Sequence, residues 1–273
     1  MFTWYELRTT DLDAAQAFYN DVMGWSAQRD AAGGVFHQAP GGERLASLEV
    51  LPERARLGGA PAHWLGHVAV PDVEAWLQRF VAAGGQPRGP VRRSAAGDVA
   101  SVTDPQGAVL GLSSRGDGPS PAVSWHELNT TDEAQAAEAY AALLGFRTTG
   151  LLDPSSGPSS GPSSGPSSGP SSGVASDVGP YRTFAWDGAE RSVGGMMSSA
   201  RRPEVHTHWL FYFRVDDLHR AIERVRAHGG TAYDEPRLSP SGELVVYCED
   251  PQGAVFGLSQ RPTRVGYDRT ESP

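Results

Sequence analysis

WYELRTTDLDAAQAFYNDVMGW (residues 4–25) returns as WHELNTTDEAQAAEAYAALLGF (residues 125–146), and DPQGAVLGLS (104–113) returns as DPQGAVFGLS (250–259). Self-similarity at this level marks repeated structural units, so each half of the chain is a guide to the other. Inside a copy the order repeats again. TWYELRTT reads as a strand, and DLDAAQAFYNDVMGW reads as a helix that opens at Asp11 and stops near Gly24. Three short strand-like segments follow, to about Val50. HWLGHVAV then starts a second round, with a helix from Asp72 to the Gly84-Gly85 stop and strands running to Leu112. The second copy repeats the series as SWHELNTT, DEAQAAEAYAALLG, HWLFYFRV and DDLHRAIERVRAHGG. The expectation is an α+β protein of two tandem domains, built from four β-α-β-β-β modules. The first domain spans 1–117, with modules at about 1–58 and 62–115; the second spans 120–261, with modules at about 122–200 and 205–260, before a tail at 262–273.

The copies differ in length at one place. Residues 154–173 are five consecutive Pro-Ser-Ser-Gly units, where the first copy has only a short polar turn around Ala31 to Gly34. With no apolar side chain to bury and a proline removing a backbone donor in every unit, this stretch reads as a flexible surface loop.

Composition narrows the function classes. A net charge of −9 argues against a general nucleic-acid or anionic-membrane surface, which draws on clustered positive charge. All 23 basic residues are Arg, a choice that GC-rich coding explains without any special role for guanidinium groups. No apolar run approaches the roughly 20 residues needed to span a bilayer, the chain begins with strand-like FTWYEL, and its single cysteine, Cys248, allows no internal disulfide. A cytoplasmic protein is expected.

Asp11, Asp72, Asp132 and Asp217 each follow an extended run and are placed to cap the first helical turn, so their expected role is structural. DPQGA reads as a turn into the last strand of each copy, not as a nucleotide loop. No GxGxxG after a strand, P-loop or CxxC pair occurs.

The strand ending in Asp, the helix with its AxxFY and GW or GF finish, the second strand-Asp-helix-GG unit and the closing DPxGAxxGL together resemble the vicinal oxygen chelate superfamily of glyoxalases, extradiol dioxygenases and bleomycin-resistance proteins. The resemblance covers nearly the whole chain and points to its tandem two-domain members. It implies that each pair of modules forms a curved sheet around a cavity. It also implies metal ligands seven residues before each helix-capping Asp and four beyond the Gly of DPxG. Here those positions hold Trp4, Leu65 and Gly111 in the first copy and Trp125, Leu210 and Gly257 in the second. None of these side chains supplies the oxygen or nitrogen donor that a divalent ion requires, so no metal or other cofactor is expected.

Strand alternation gives an independent register. Leu7, Val68, Val70, Leu110 and Leu112 share one parity, repeated by Leu128, Phe211, Phe213, Val215, Phe256 and Leu258; this is the core face. The other parity carries Trp4, Glu6, Arg8, His63 and His67, then Trp125, Glu127, Asn129, His208, Tyr212 and Arg214, a mixed aromatic and polar set suited to a ligand pocket. On this register His126 faces the helix layer with Tyr5 and is a core or interface histidine. Glu6 and Glu127 are the candidate general bases, expected to lie across from His67 and Tyr212, with desolvation raising their pKa. Trp4, Glu6, His67, Trp125, Glu127 and Tyr212 are the expected ligand-binding residues. A relocated divalent-metal centre of Glu6, His63 and His67 is the alternative, and it is not duplicated in the second copy.

The leading expectation is therefore a small-molecule-binding protein without the usual metal centre. The alternatives are a metal-dependent lyase, isomerase or dioxygenase with relocated ligands, and a protein whose second domain serves pairing while only the first keeps a pocket. Because duplication can bring inside one chain the twofold pairing that single-domain relatives make between chains, a monomer is expected over a homodimer.

Overall fold

The computed structural model describes residues 1–29, 35–38, 44–94, 97–115, 122–153 and 178–262. The Ala31–Gly34 turn, the Pro-Ser-Ser-Gly segment and the tail from residue 263 lie outside them. The first half contains β1 (Phe2–Thr9), α1 (Leu12–Met23), β2 (Ser26–Arg29), β3 (Val35–Gln38) and β4 (Arg44–Val50). A short helix, α2 (Glu53–Leu57), leads to β5 (His63–Ala69), α3 (Val73–Ala82), β6 (Gln86–Pro87), β7 (Val99–Thr103) and β8 (Val109–Ser113). The second half contains β9 (Val123–Asn129), α4 (Glu133–Leu144), β10 (Arg147–Leu152), β11 (Tyr181–Ala185) and β12 (Gly194–Met197). It closes with β13 (His208–Arg214), α5 (Leu218–Ala227), β14 (Thr231–Ala232), β15 (Arg237–Leu238), β16 (Leu244–Glu249) and β17 (Val255–Gln260).

The four expected modules are present. In the first sheet the strand order is β2-β3-β4-β1-β5-β8-β7-β6, and in the second it is β10-β11-β12-β9-β13-β17-β16-β14, with β15 also paired to β16. At each centre the first strands of the two modules run antiparallel, flanked by a parallel neighbour on either side. Modules of one sheet therefore meet through their opening strands.

Helix starts follow the sequence reading. Asp11 accepts from the Ala14 amide, Asp72 from Ala75, Asp132 from Ala134 and Gln135, and Asp217 from Arg220, all at 2.9–3.0 Å. A cap of this kind is worth about 1 kcal/mol. Gly24 and Gly145 end α1 and α4 in the left-handed region, at φ 69° and 72°, where a side chain would be strained.

One apolar core runs through both halves, because the helix-covered faces of the two sheets pack against each other. Two matching hydrogen-bond relays cross it. Trp64 Nε1 donates to the Tyr19 hydroxyl, which donates to Asp250 Oδ2; Trp209 Nε1 donates to the Tyr140 hydroxyl, which donates to Asp104 Oδ2. Each aspartate belongs to a DPQG turn and uses its other oxygen to accept two amides of that turn. The repeated motif thus shapes a turn in one half and anchors a helix of the other. Burial raises the pKa of both carboxyls, against the hydrogen bonds that lower it.

Tyr5 and His126, which occupy the same position in the two copies, touch: the Tyr5 hydroxyl lies 2.6 Å from His126 Nε2. The ring of His126 also stacks on Phe2, and burial lowers its pKa to about 4. His126 is an interface histidine, as its parity indicates.

Candidate functional site

The alternation in the central strands places Trp4, Glu6 and Arg8 of β1 beside Leu65 and His67 of β5 on the face away from the helices, with Ser47 and Glu49 of β4 continuing that face. Trp4 is directly opposite His67 and Glu6 opposite Leu65, so Glu6 reaches His67 along the diagonal, not across the ladder as expected. The same shift applies in the second half, where Tyr212 faces Trp125 and Leu210 faces Glu127.

In the first half this face encloses a cavity of about 250 Å³. Its floor includes Trp4, Glu6, Ser47 and His67, its wall includes Phe36 and Val99, and its rim carries Arg44, Glu49, Arg92 and Arg115. Trp4 Nε1 is held by Ser47 Oγ at 2.9 Å, and the Arg44 guanidinium lies 3.9 Å from the centre of the Phe36 ring. A second hollow of about 210 Å³ adjoins it, sharing Glu6, Glu49 and Arg92 and adding Arg8, Arg88 and Ser101.

Glu6 is only 5% exposed yet well paired. Arg8 Nε donates to its Oε1 at 2.6 Å, His67 Nε2 lies 3.6 Å from its Oε2, and Arg92 lies 4.0 Å away. Burial alone pushes its pKa up, but the facing His67 ring together with the charge and hydrogen bond of Arg8 outweigh it and hold the carboxyl well below the usual carboxylate range. This reverses the expected upward shift and makes Glu6 a fixed anion, poorly suited to accept a proton. The raised carboxyl is Glu49, through burial first and the neighbouring Glu6 charge second.

His67 is 3% exposed, lines the cavity and has no hydrogen-bond partner on either ring nitrogen. Its ring lies over Gly111: a Cβ there would come within 2.3 Å of His67 Nδ1. The position four beyond the DPQG glycine, where the resemblance implies a metal ligand, is thus filled by an imidazole from the next strand, while Trp4 and Leu65 stand at the other two. The residues present do not fit the family's usual metal. Of the alternative set, Glu6 and His67 come together, but His63 stands opposite Arg8 and turns Nδ1 to the Pro61 carbonyl at 2.9 Å. Among the described residues no three His, Cys, Asp or Glu side chains are grouped to hold an ion.

The same face of the second half is packed. Trp125, Tyr181, Leu210, Tyr212, Val245 and Tyr247 form an apolar cluster on it. Trp125 Nε1 donates to the Tyr181 hydroxyl at 2.8 Å, and that hydroxyl donates to Glu127 at 3.0 Å. Glu127 and Tyr212 are both 0% exposed. Two glycines admit the rings: a Cβ at Gly257 would lie 2.1 Å from Tyr212, and one at Gly195 2.2 Å from Tyr181. Trp125, Glu127 and Tyr212 are therefore brought together as expected, but within the protein interior.

Glu49, Phe36, Arg92 and Arg115 escaped the sequence reading. The alternation Ala46-Ser47-Leu48-Glu49 carried the signal for Glu49, since Ala46 and Leu48 enter the core. Arg92 and Arg115 lie outside the named strands, where no periodicity assigns a direction.

The chain belongs to the Glyoxalase/Bleomycin resistance protein/Dioxygenase superfamily, whose sequence profile matches residues 2–112 and again 122–258. It is 32% identical over 267 residues to the protein named "Putative glyoxylase CFP32" of Mycobacterium bovis, covering 93% of this chain and 92% of that one. It is 26% identical over 290 residues to "Anthracycline biosynthesis protein DnrV" of Streptomyces peucetius, covering 97% and 94%. Among solved structures it resembles the Mn(II)-bound glyoxalase of Novosphingobium aromaticivorans, with a TM-score of 0.62 at 16% identity over 95% of this chain and 81% of that one. The 2,3-dioxygenase LapB of Pseudomonas sp. KL28 gives 0.60 at 14%, over 95% and 91%. At these identities the structures share the fold alone.

Proposed function

We propose that the chain is a small-molecule-binding protein whose working site is the first-half cavity, and that it binds without a divalent ion at the superfamily's usual position. The observation that carries this reading is the contrast between equivalent faces: one is hollow around Trp4, Phe36 and the Glu6–His67 pair, the other is filled by tyrosines. The second half then acts as a packing partner inside a single chain. An indole and a phenyl ring beside a polar floor suit a flat ligand with a polar edge. The name of the Streptomyces relative points to the same ligand chemistry, since anthracyclines are flat polycyclic molecules.

Titration of the protein with an anthracycline and with smaller planar aromatics, followed by tryptophan emission, tests the reading. Saturable quenching is expected, and it should disappear in Trp4→Phe while persisting in Trp125→Phe. Unchanged emission with every probe would count against binding. Stoichiometric manganese, iron, zinc or nickel in protein purified without added metal would overturn the metal-free part.

A further inference from the structure

Two residues beyond each repeated DPQGA segment's closing strand stands an arginine, Arg115 in the first half and Arg261 in the second. The second-half arginine has a carboxylate: Arg261 Nε lies 3.7 Å from Glu243 Oε1, and Arg214 reaches the same oxygen at 3.5 Å. Val245 pairs with Ser259 as Val99 pairs with Ser113, so by strand register the first-half counterpart of Glu243 is Gly97. The neighbouring Asp98 does not replace it, because its carboxylate turns to Arg93 at 3.7 Å. The stem of Arg115 lies over Gly97, where a Cβ would come within 3.1 Å of its Cγ. Among the described residues its Nε, which is buried, has no hydrogen-bond partner.

A second arginine shows the same change. Arg92 pairs with Val99 as Arg237 pairs with Val245. Arg237 is held by Asp234 at 2.8 Å, whereas Gly89 stands three residues before Arg92, whose ion pair with Glu6 is 4.0 Å long. Glu6 is already held at 2.6 Å by Arg8. Arg92 and Arg115 flank the Val99–Ser113 pair and both line the first-half cavity. Trp4 is opposite His67, and His67 is opposite Gly111, two residues before Ser113, so the indole adjoins the two arginines. Glu49, the cavity's other carboxylate, stands opposite Arg8 at the far end of the face.

Resting on the binding reading and extending it to the ligand's class, we propose that the cavity takes a planar aromatic molecule bearing a carboxylate. The ring lies against Trp4, and the carboxylate meets Arg115 and Arg92 as Glu243 meets Arg261 in the other half. A buried guanidinium nitrogen without an acceptor costs free energy that a bound anion restores, and its planar fork matches a carboxylate. The chain as a whole carries −9, so general attraction for anions is not the source of this preference.

2-Naphthoate and 2-naphthamide, which share a flat bicycle and differ in charge, test the assignment through Trp4 emission and calorimetry at neutral pH. The full-length protein should bind the acid about 30-fold more tightly than the amide. Arg115→Gln should weaken the acid about 10-fold while leaving the amide unchanged, which also shows that the variant is folded. Adding Arg92→Gln should erase the remaining preference, and Arg261→Gln should alter neither affinity. Equal affinities in the wild type, or a preference for the acid that survives the double substitution, overturn the proposal and leave the binding reading standing. No response to the acid overturns it as well; if every planar probe is silent, the binding reading falls with it.

Discussion

The two halves share their topology, capped helices and closing turns, and differ in what fills one face of the sheet. In the first half Trp4, Glu6 and His67 border a cavity; in the second, Trp125, Glu127 and Tyr212 are covered by Tyr181 and Tyr247. Copying a fold therefore does not copy a site. Four helix caps survive the duplication because each is set by local backbone geometry, and two inter-half relays survive because the DPQG turns that hold their aspartates are copied with the fold. A cavity depends on whether a few side chains leave room, and in the second half Tyr212 in place of His67, with Tyr181 and Tyr247 packed beside it, fills the space.

The comparison can be broken first at its glycines. Gly257→Ala forces a Cβ against the fully buried Tyr212 ring, which has no solvent to retreat into, and is expected to cost about 3 kcal/mol. Gly111→Ala meets His67 beside an open cavity, where the imidazole can swing aside, and should cost about 1 kcal/mol. Thermal denaturation of both variants checks this, and equal losses would mean that the two faces are packed alike. Tyr181→Phe should come next, at about 1–2 kcal/mol, because it removes the hydroxyl that links the Trp125 indole to the buried Glu127; a loss below a few tenths of a kcal/mol would show that relay to be idle.

The last expected effect concerns Glu6 and appears only in acid. Its folded pKa is depressed below the ordinary 4.5, so the stability it contributes is fully present above that value and is lost as pH falls further. Denaturation midpoints measured from pH 6 downward should therefore fall more steeply for the wild type than for Glu6→Gln. Parallel curves would contradict the pairing with Arg8 and His67.

Much of this was legible in the chain. The duplication, the four capping aspartates, the parity of the central strands and the inward turn of His126 follow from periodicity and local hydrogen bonding, which are properties of short stretches. The sign of the Glu6 shift was not legible, because desolvation and ion pairing oppose each other and only the Arg8 and His67 distances decide between them. Glu49 is readable from alternation, but unlike Glu6 and Glu127 it is not repeated, because Met197 stands at the corresponding end of β12. The closure of the second face was hidden as well. Tyr181 begins the strand beyond the Pro-Ser-Ser-Gly segment, in the region where the copies no longer align, and its ring needs the space left at Gly195.

The meeting of Tyr5 with His126 has an evolutionary consequence. In a dimer of identical single-domain chains, the residue on the twofold axis faces itself, and only Tyr against Tyr or His against His is available. Joining the copies in one polypeptide releases that restriction, and the chain now presents a hydroxyl to an imidazole nitrogen, with Phe211 filling the hollow left opposite by its counterpart Gly66. The contact has become a lock and a key that neither half makes with itself. Each half is thereby made complementary to the other half and not to a second copy of itself, so symmetry, once broken at its axis, disfavours pairing between like halves.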